Sequence, residues 1–372
     1  GTASDRALAL GSPDQALAFA LQALELSSAP SERGPFHERA ALAAVYANDP
    51  ETGLDHQLAA LAAYRAVGDL SSEARVLGSE QNIVRVSLQQ RLRLAEWARD
   101  VLERLGPDRP VERARVLSLL ANADNAVGDY GDALRHSEEA VVLAQGLDDD
   151  LLLLEVSSPR IAALNGSGRI WESEQMAVAH LDLARRVAGP VQVTSALMHL
   201  AMRVTDENPR EGFELFLECA RTAETASLRM TQDIALSNAA EIGVDAGEWA
   251  AVDAIIAELM AYDSVGHETI NGVEMTRLML RAHRGDPLDA IDGLVQLEAL
   301  VGAEGDSIVR LRTWLYRVAA YLRLLGGDRQ GALESVRNGL ETEPSGVNAP
   351  NILWTGLQLG SMTRDPALLG EL

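Results

Sequence analysis

Paired histidine and glutamate, the residue types that metal-dependent hydrolysis needs, occur twice, as His37-Glu38 and His267-Glu268. In a zinc hydrolase, a second histidine four residues after the first completes the H-E-x-x-H motif on one helix face. Positions 41 and 271 hold alanine and asparagine instead. The other histidines are dispersed without metal-ligand spacing, so the sequence predicts no metal site and no cofactor.

The other patterns that resemble functional motifs are explained by helix structure. The run "NGSGR" (165–169) is interpreted as a turn, and the three aspartates in "LDDDLLLLE" (147–155) as helix caps. No phosphate-binding G-x-x-x-x-G-K-[ST] motif occurs, and Cys219 lies among apolar residues like a small core residue. We therefore predict that the chain is not an enzyme.

Charge and composition restrict the partners and the location. The formal net charge is -23, and basic residues form no cluster of the kind that a polyanion requires. This predicts a basic or neutral partner, with no nucleic acid and no membrane bound. A single cysteine and the lack of a signal or membrane-spanning pattern predict a cytoplasmic protein. Since the chain starts without methionine and partway through a helical pattern, we expect it to be excised from a longer protein.

A turn signal recurs along the whole chain at intervals of 37 to 42 residues. Its clearest copy is Gly128-Asp129-Tyr130, between two apolar segments. A glycine that ends one helix and an aspartate that caps the next indicate a helical hairpin. The anchors lie at positions 11, 48, 90, 128, 168, 208, 247, 285 and 327. They predict about nine helix-turn-helix units of roughly 40 residues in one domain, residues 1–372.

Small residues recur at fixed places relative to these anchors. Seven residues before an anchor stand Ala41, Ala121, Ala201, Ala240 and Ala320. Small side chains let helix axes approach closely, and the second helices carry one apolar face that a lone hairpin cannot bury. The sequence therefore predicts an all-α solenoid in which each hairpin packs on its neighbours.

The pattern resembles the tetratricopeptide repeat. The small and large positions of that family are matched by Leu120, Ala121, Gly128, Tyr130, Ala133 and Ala140, and again by Gly327, Ala332, Gly339 and Pro344. The period of this chain is longer than in that family. In this respect the chain resembles the degenerate repeats in the C-terminal sensor regions of large bacterial ATP-dependent regulators of the LuxR type. The resemblance implies a right-handed superhelical solenoid. It also implies a non-catalytic interaction or ligand-sensing domain of a bacterial protein that controls transcription.

In such a solenoid the first helices line the concave groove. Under that geometry, the residues 3, 6, 10 and 13 positions before each anchor project into it. The groove candidates are Arg115, Asn122, Asn125, Met198, Met202, Met275, Met279, Trp314, Arg317 and Tyr321. They would hold a protein or peptide partner, or a small-molecule inducer. Ordinary core contacts are the alternative explanation for the methionine pairs.

Two other functions stay open at this point. The chain could be an enzyme with an α/α fold and a carboxylate-lined pocket, although its few, scattered aromatic residues disfavour a sugar or isoprenoid pocket. It could also be a scaffold that self-associates through its end repeats, for example as a homodimer.

Overall fold

A computed structural model describes residues 2–10, 12–47, 49–78, 88–205, 207–226, 228–261, 267–285, 293–294 and 309–342. Within these ranges the regular elements are all α-helices. They are α1 Thr2–Ala9, α2 Pro13–Leu26, α3 Pro30–Tyr46, α4 Pro50–Val67, α5 Leu70–Leu77, α6 Leu88–Arg104, α7 Pro110–Ala126, α8 Tyr130–Gly146, α9 Asp150–Gly166, α10 Ile170–Val187, α11 Pro190–Val204, α12 Pro209–Thr225, α13 Arg229–Asp245, α14 Trp249–Met260, α15 His267–His283, α16 Val309–Leu325 and α17 Arg329–Thr342.

Backbone contacts divide the chain into two compact units, Gly1–His199 (unit 1) and Leu200–Leu372 (unit 2). In unit 1, consecutive helices from α1 to α10 are in contact, and in unit 2 the contacts include α12 with α13, α13 with α14, α14 with α15 and α16 with α17. The predicted organisation as one domain over residues 1–372 stays a prediction. Of the helices in the described ranges, none combines the length and the apolar character needed to cross a membrane.

Where the structure describes both helices of a hairpin, the predicted turn lies between them. Five anchor glycines have positive φ, from 76° to 103°, a conformation that residues with a Cβ rarely adopt. They are Gly128, Gly168, Gly247, Gly285 and Gly327. The anchors Gly11 and Asn48, and the turn that precedes Gln90, lie outside the described residues. At the remaining anchor, Asn208 caps α12 by accepting from the Glu211 amide at 3.3 Å.

In two of these turns the residue after the glycine caps the next helix, as predicted for the unit anchored at Gly128, whereas Arg169 and Glu248 make no side-chain cap. The Asp129 carboxylate accepts a hydrogen bond from the Asp132 amide at 3.1 Å. Asp328 does the same for Gly331 at 2.9 Å. Each cap satisfies one of the amides that the first turn of a helix leaves without a partner, so glycine and aspartate together fix where the hairpin bends.

Gly128→Ala is expected to lower the free energy of unfolding by roughly 1 kcal/mol, because alanine resists the φ of 77° that the turn requires. Denaturant unfolding followed by circular dichroism measures this. Gly131→Ala is the matched control, since Gly131 lies in α8 and an added Cβ would meet nothing closer than 3.6 Å. Equal stabilities for the two variants would contradict the turn assignment.

Alanine and leucine form the core in both units. The predicted small positions Ala41, Ala121, Ala201, Ala240 and Ala320 are all buried. Their size permits a layer in which first helices contact the first helices of neighbouring hairpins. In unit 1 this layer includes α5, α7 and α9, and in unit 2 it includes α13, α15 and α16. The predicted all-α helical-repeat fold is confirmed.

Candidate functional site

Unit 1 contains a cavity of about 700 Å³ on the side of the first helices. Residues from α1, α3, α5, α7 and α9 line it, and α4 contributes two side chains. We call this surface the first-helix face. The lining residues are Asp5, Ser31, Pro35, Glu38, Arg39, Ala41, Leu42, Gln57, Tyr64, Asp69, Ser72, Arg75, Val76, Arg115 and Glu155.

Ion pairs connect the first helices at the N-terminal end of this cavity. Arg39 of α3 donates to Asp5 of α1 at 2.8 Å. Arg75 of α5 donates to both carboxylate oxygens of Glu38 on α3, one of them at 2.8 Å. Tyr64 of α4 also donates to Glu38. Burial and the hydrogen bond to Glu38 raise the pKa of Tyr64, so its hydroxyl remains a neutral donor.

A fourth helix pair is joined by Arg115 and Glu155. Arg115 of α7 donates to the two carboxylate oxygens of Glu155 on α9, at 2.8 and 3.0 Å. This bidentate geometry is the strongest that an arginine and a carboxylate can form. The two residues are 40 positions apart, one repeat period, so they occupy equivalent places on neighbouring first helices.

Farther along α7, an amide contacts the interior proline of α9. Asn125 is 8% exposed, and its Nδ2 donates to the Pro159 carbonyl at 2.9 Å. Its Oδ1 has no hydrogen-bond partner among the residues that the structure describes. A buried amide that uses only one side is a polar group with remaining capacity for a ligand or water.

The structure distributes the predicted groove residues over the two units. In unit 1, Arg115 lines the cavity, and Asn122 is half-buried two helical turns farther along α7. Asn125 is buried against α9, and Met198 is half-buried in α11. Of these four, Arg115 is the one that lines the described cavity.

In unit 2 the prediction for Met275 is wrong. Its side chain is completely buried and belongs to a core cluster with Leu278 and Leu315. Met275 shares its helix face with Leu278, and an apolar side chain gains more from burial there than from exposure in a groove. Met279 and Trp314 are partly buried against the same cluster. For these residues the alternative of ordinary core contacts is the better explanation.

The remaining candidates of unit 2 are polar or exposed. Arg317 donates to Glu241 of α13 at 3.3 Å. The Tyr321 hydroxyl is 3.2 Å from His283 Nε2, and burial raises the pKa of Tyr321. Met202 is 46% exposed. The contact of Tyr321 with His283 joins neighbouring first helices, as the ion pairs of unit 1 do, whereas Arg317 reaches past α15 to α13.

The same positional rule would have found several cavity residues that the candidate set omitted. Counting 13, 10 and 6 residues back from the anchor at 48 gives Pro35, Glu38 and Leu42, and 13 back from 168 gives Glu155. All four line the cavity. Counting back from the anchor near Gln90 does not give Arg75, because this anchor is shifted along the sequence relative to the ends of the helices.

The described part of the chain contains neither a metal-binding cluster nor an activated cysteine. No three histidine, cysteine, aspartate or glutamate side chains in it are placed to hold a metal ion. Cys219 is buried, and burial raises the pKa of its thiol to about 12. At neutral pH it is therefore a thiol in the core and a poor nucleophile.

No family model and no curated protein matches the chain. Solved structures, in contrast, do match the chain. A Rap protein complexed with Competence and Sporulation Factor superposes with a TM-score of 0.65 at 11% identity, covering 95% of this chain and 97% of that one. The fold is that of tetratricopeptide-like repeats. The apo form of RapI gives a TM-score of 0.52 at 8% identity, over 69% of this chain and 92% of its own.

A third similar structure belongs to a signal transduction ATPase with numerous domains from Pyrococcus horikoshii, which has a tetratricopeptide repeat sensor. It has a TM-score of 0.46 at 15% identity and covers 92% of this chain and 53% of that one. That likeness is too small to support an argument. At these identities the two Rap superpositions establish the fold and leave function to the residues of the site.

Proposed function

We propose that this chain is a non-catalytic regulatory domain that binds a peptide or a protein segment on the first-helix face of unit 1. The cavity carries this proposal: at about 700 Å³ it lies within the range of ligand pockets, roughly 300–1,000 Å³, and five consecutive first helices line it. Repeat proteins use such extended surfaces for binding.

Two observations support a binding function over catalysis. The cavity carboxylates Asp5, Glu38 and Glu155 each accept from an arginine, and none contacts another acid as a general acid/base pair would. The structural neighbour with the TM-score of 0.65 is a Rap protein complexed with a named factor, so this fold can hold a partner.

The finer predictions extend this proposal. A bound signal would favour one arrangement of helices over another, and the change would reach further domains in a longer bacterial protein that controls transcription. A small-molecule inducer is the alternative occupant of the same cavity. Cytoplasmic location and homodimerisation stay predictions from the sequence.

The proposal is tested by screening the chain against a tethered library of randomised hexapeptides and measuring the selected peptides by calorimetry. Arg115→Ala is expected to change the affinity for a selected peptide at least tenfold, because it removes one charge of the cavity wall and leaves the Glu155 carboxylate without its arginine. Arg113→Ala is the matched control, since Arg113 on the same helix pairs with Glu139 of α8 and does not line the cavity. The proposal fails if the library yields no binder, or if both variants bind like the unmodified chain.

A further inference from the structure

We infer that the cavity of unit 1 selects a cationic peptide, one that presents lysine or arginine side chains. This inference rests on the proposed function and adds the chemical class of the ligand. Carboxylates outnumber guanidinium groups in the cavity wall. The acids are Asp5, Glu38, Asp69 and Glu155, and the bases are Arg39, Arg75 and Arg115.

The arginines are already occupied by carboxylates of the protein. Arg115 presents its Nε and Nη2 edge to Glu155, and Arg75 presents both terminal nitrogens to Glu38. An anionic ligand would have to displace one of these internal carboxylates and leave it without its partner. That exchange gains little, because one carboxylate replaces another.

Asp69 is the cavity carboxylate that makes no ion pair with any residue that the structure describes. Its Oδ1 accepts from the Ser72 amide at 3.1 Å and its Oδ2 from the Ser72 hydroxyl at 2.7 Å, so both partners are neutral. A carboxylate oxygen accepts more than one hydrogen bond. Asp69 therefore has acceptor positions left for an ammonium or guanidinium group of a ligand.

Gln57 supplies a second hydrogen-bond acceptor for a ligand. Its side chain lines the cavity and is 2% exposed. Its Nε2 donates to the Val76 carbonyl at 3.2 Å, and its Oε1 has no hydrogen bond to any other described residue. A carbonyl oxygen in the cavity wall without a donor among the described residues favours a ligand that brings N–H groups, as a peptide backbone or a lysine does.

The charge of the whole chain acts in the same direction. With a formal net charge of -23, the protein attracts a cation from a distance and repels an anion. Such attraction mainly raises the rate of association, and it weakens as salt shortens the Debye length from about 10 Å at 0.1 M to about 3 Å at 1 M.

The test compares two hexapeptide libraries that share randomised positions and differ at two fixed ones, lysine in one library and glutamate in the other. Calorimetry of the best binders from each library gives the affinities. We expect the lysine peptides to bind at least tenfold tighter in low salt, with the difference shrinking in high salt. Glutamate peptides that bind equally well or better would overturn the inference and leave the proposed function standing.

A conservative variant locates the charge that matters. Asp69→Asn keeps an N-cap of equal quality, so the start of α5 is preserved while the charge is removed. It is expected to weaken lysine peptides at least fivefold and to leave neutral peptides unchanged. Asp129→Asn is the control, because Asp129 caps α8 in the same way and does not line the cavity. If the two variants bind lysine peptides equally, the inference is wrong; if neither library binds at all, the proposed function itself fails.

Discussion

Glu73→Ala will lower the free energy of unfolding by about 3 kcal/mol, because it breaks a buried network that joins three helices. Glu73 of α5 is completely buried. Its carboxylate accepts from Arg65 of α4 at 3.1 Å, and from Trp97 and Arg104 of α6 at 3.1 and 2.9 Å. The Arg65 guanidinium also lies 4.0 Å from the centre of the Trp97 ring. Alanine would leave the Trp97 indole without its acceptor, while Arg65 and Arg104 would keep only Asp100 as a carboxylate partner.

The two arginines are partly exposed, with 39% and 36% of their side chains accessible, so water recovers some of the loss. This places the expected value at the lower end of the range for buried pairs, which is roughly 3–5 kcal/mol. Guanidinium unfolding followed by circular dichroism measures it.

The control is Glu139→Ala, which removes a carboxylate that is 44% exposed and pairs with Arg113. Surface changes of this kind stay within about 0.5 kcal/mol. If Glu73→Ala lies in the same range as Glu139→Ala, the network does not stabilise unit 1. Because α5 also carries Ser72, Arg75 and Val76 of the cavity wall, Glu73→Ala is further expected to weaken peptide binding.

The repeat was predictable because its signals are local. A positive φ at Gly128 and the cap at Asp129 depend on a few neighbouring residues, and both recur at one period. The pair of Arg115 and Glu155 follows from the same period, once the register of neighbouring first helices is known. The spacing of the repeats therefore predicts some of the residues that line the cavity.

The rotation of each helix about its own axis was not predictable. Met275 stands at a groove position by counting, yet its side chain is completely buried in a core cluster with Leu278 and Leu315. The Glu73 network depends on partners 8, 24 and 31 residues away, which fall within no common period. Such contacts depend on tertiary packing, so no recurring spacing in the sequence predicts them.

Acid will destabilise unit 1 through two histidine pairs, in a pH window below 6.5. The Nδ1 atoms of His37 on α3 and His56 on α4 are 3.0 Å apart, so one ring donates to the other and both cannot be protonated without repulsion. Burial, then His56 and Arg33, lowers the pKa of His37 to about 4. Burial lowers the pKa of His56 as well, against a smaller opposing effect of Asp55.

The second pair joins α10 and α11. The rings of His180 and His199 are 6.3 Å apart, and burial, followed by the charge of His199, lowers the pKa of His180 to about 4. His180 is 5% exposed, and its Nδ1 has no hydrogen-bond partner in the described part of the chain. A proton on this ring would therefore be a buried charge without a counterion.

The direction of the pH effect follows from these lowered pKa values. In the unfolded chain a histidine has a pKa of about 6.5, so between pH 6.5 and about 4 the unfolded state binds more protons than the folded state. Stability is complete above pH 6.5, falls as the pH is lowered to about 4, and changes no further from this source below that. For His180 the loss is on the order of 3 kcal/mol.

Chemical denaturation at several pH values between 7 and 4 measures this loss, and a double variant separates the histidines from the titrating carboxylates. His37→Asn with His56→Asn keeps polar groups in the hairpin of α3 and α4 and removes both titrating rings. The double variant is expected to lose clearly less stability than the unmodified chain over this range. His136→Asn is the control, because it removes a histidine elsewhere in unit 1. The His136 ring contacts Asp124 at 2.7 Å and belongs to neither histidine pair. An unchanged pH profile in the double variant would show that the His37–His56 contact does not sense protons.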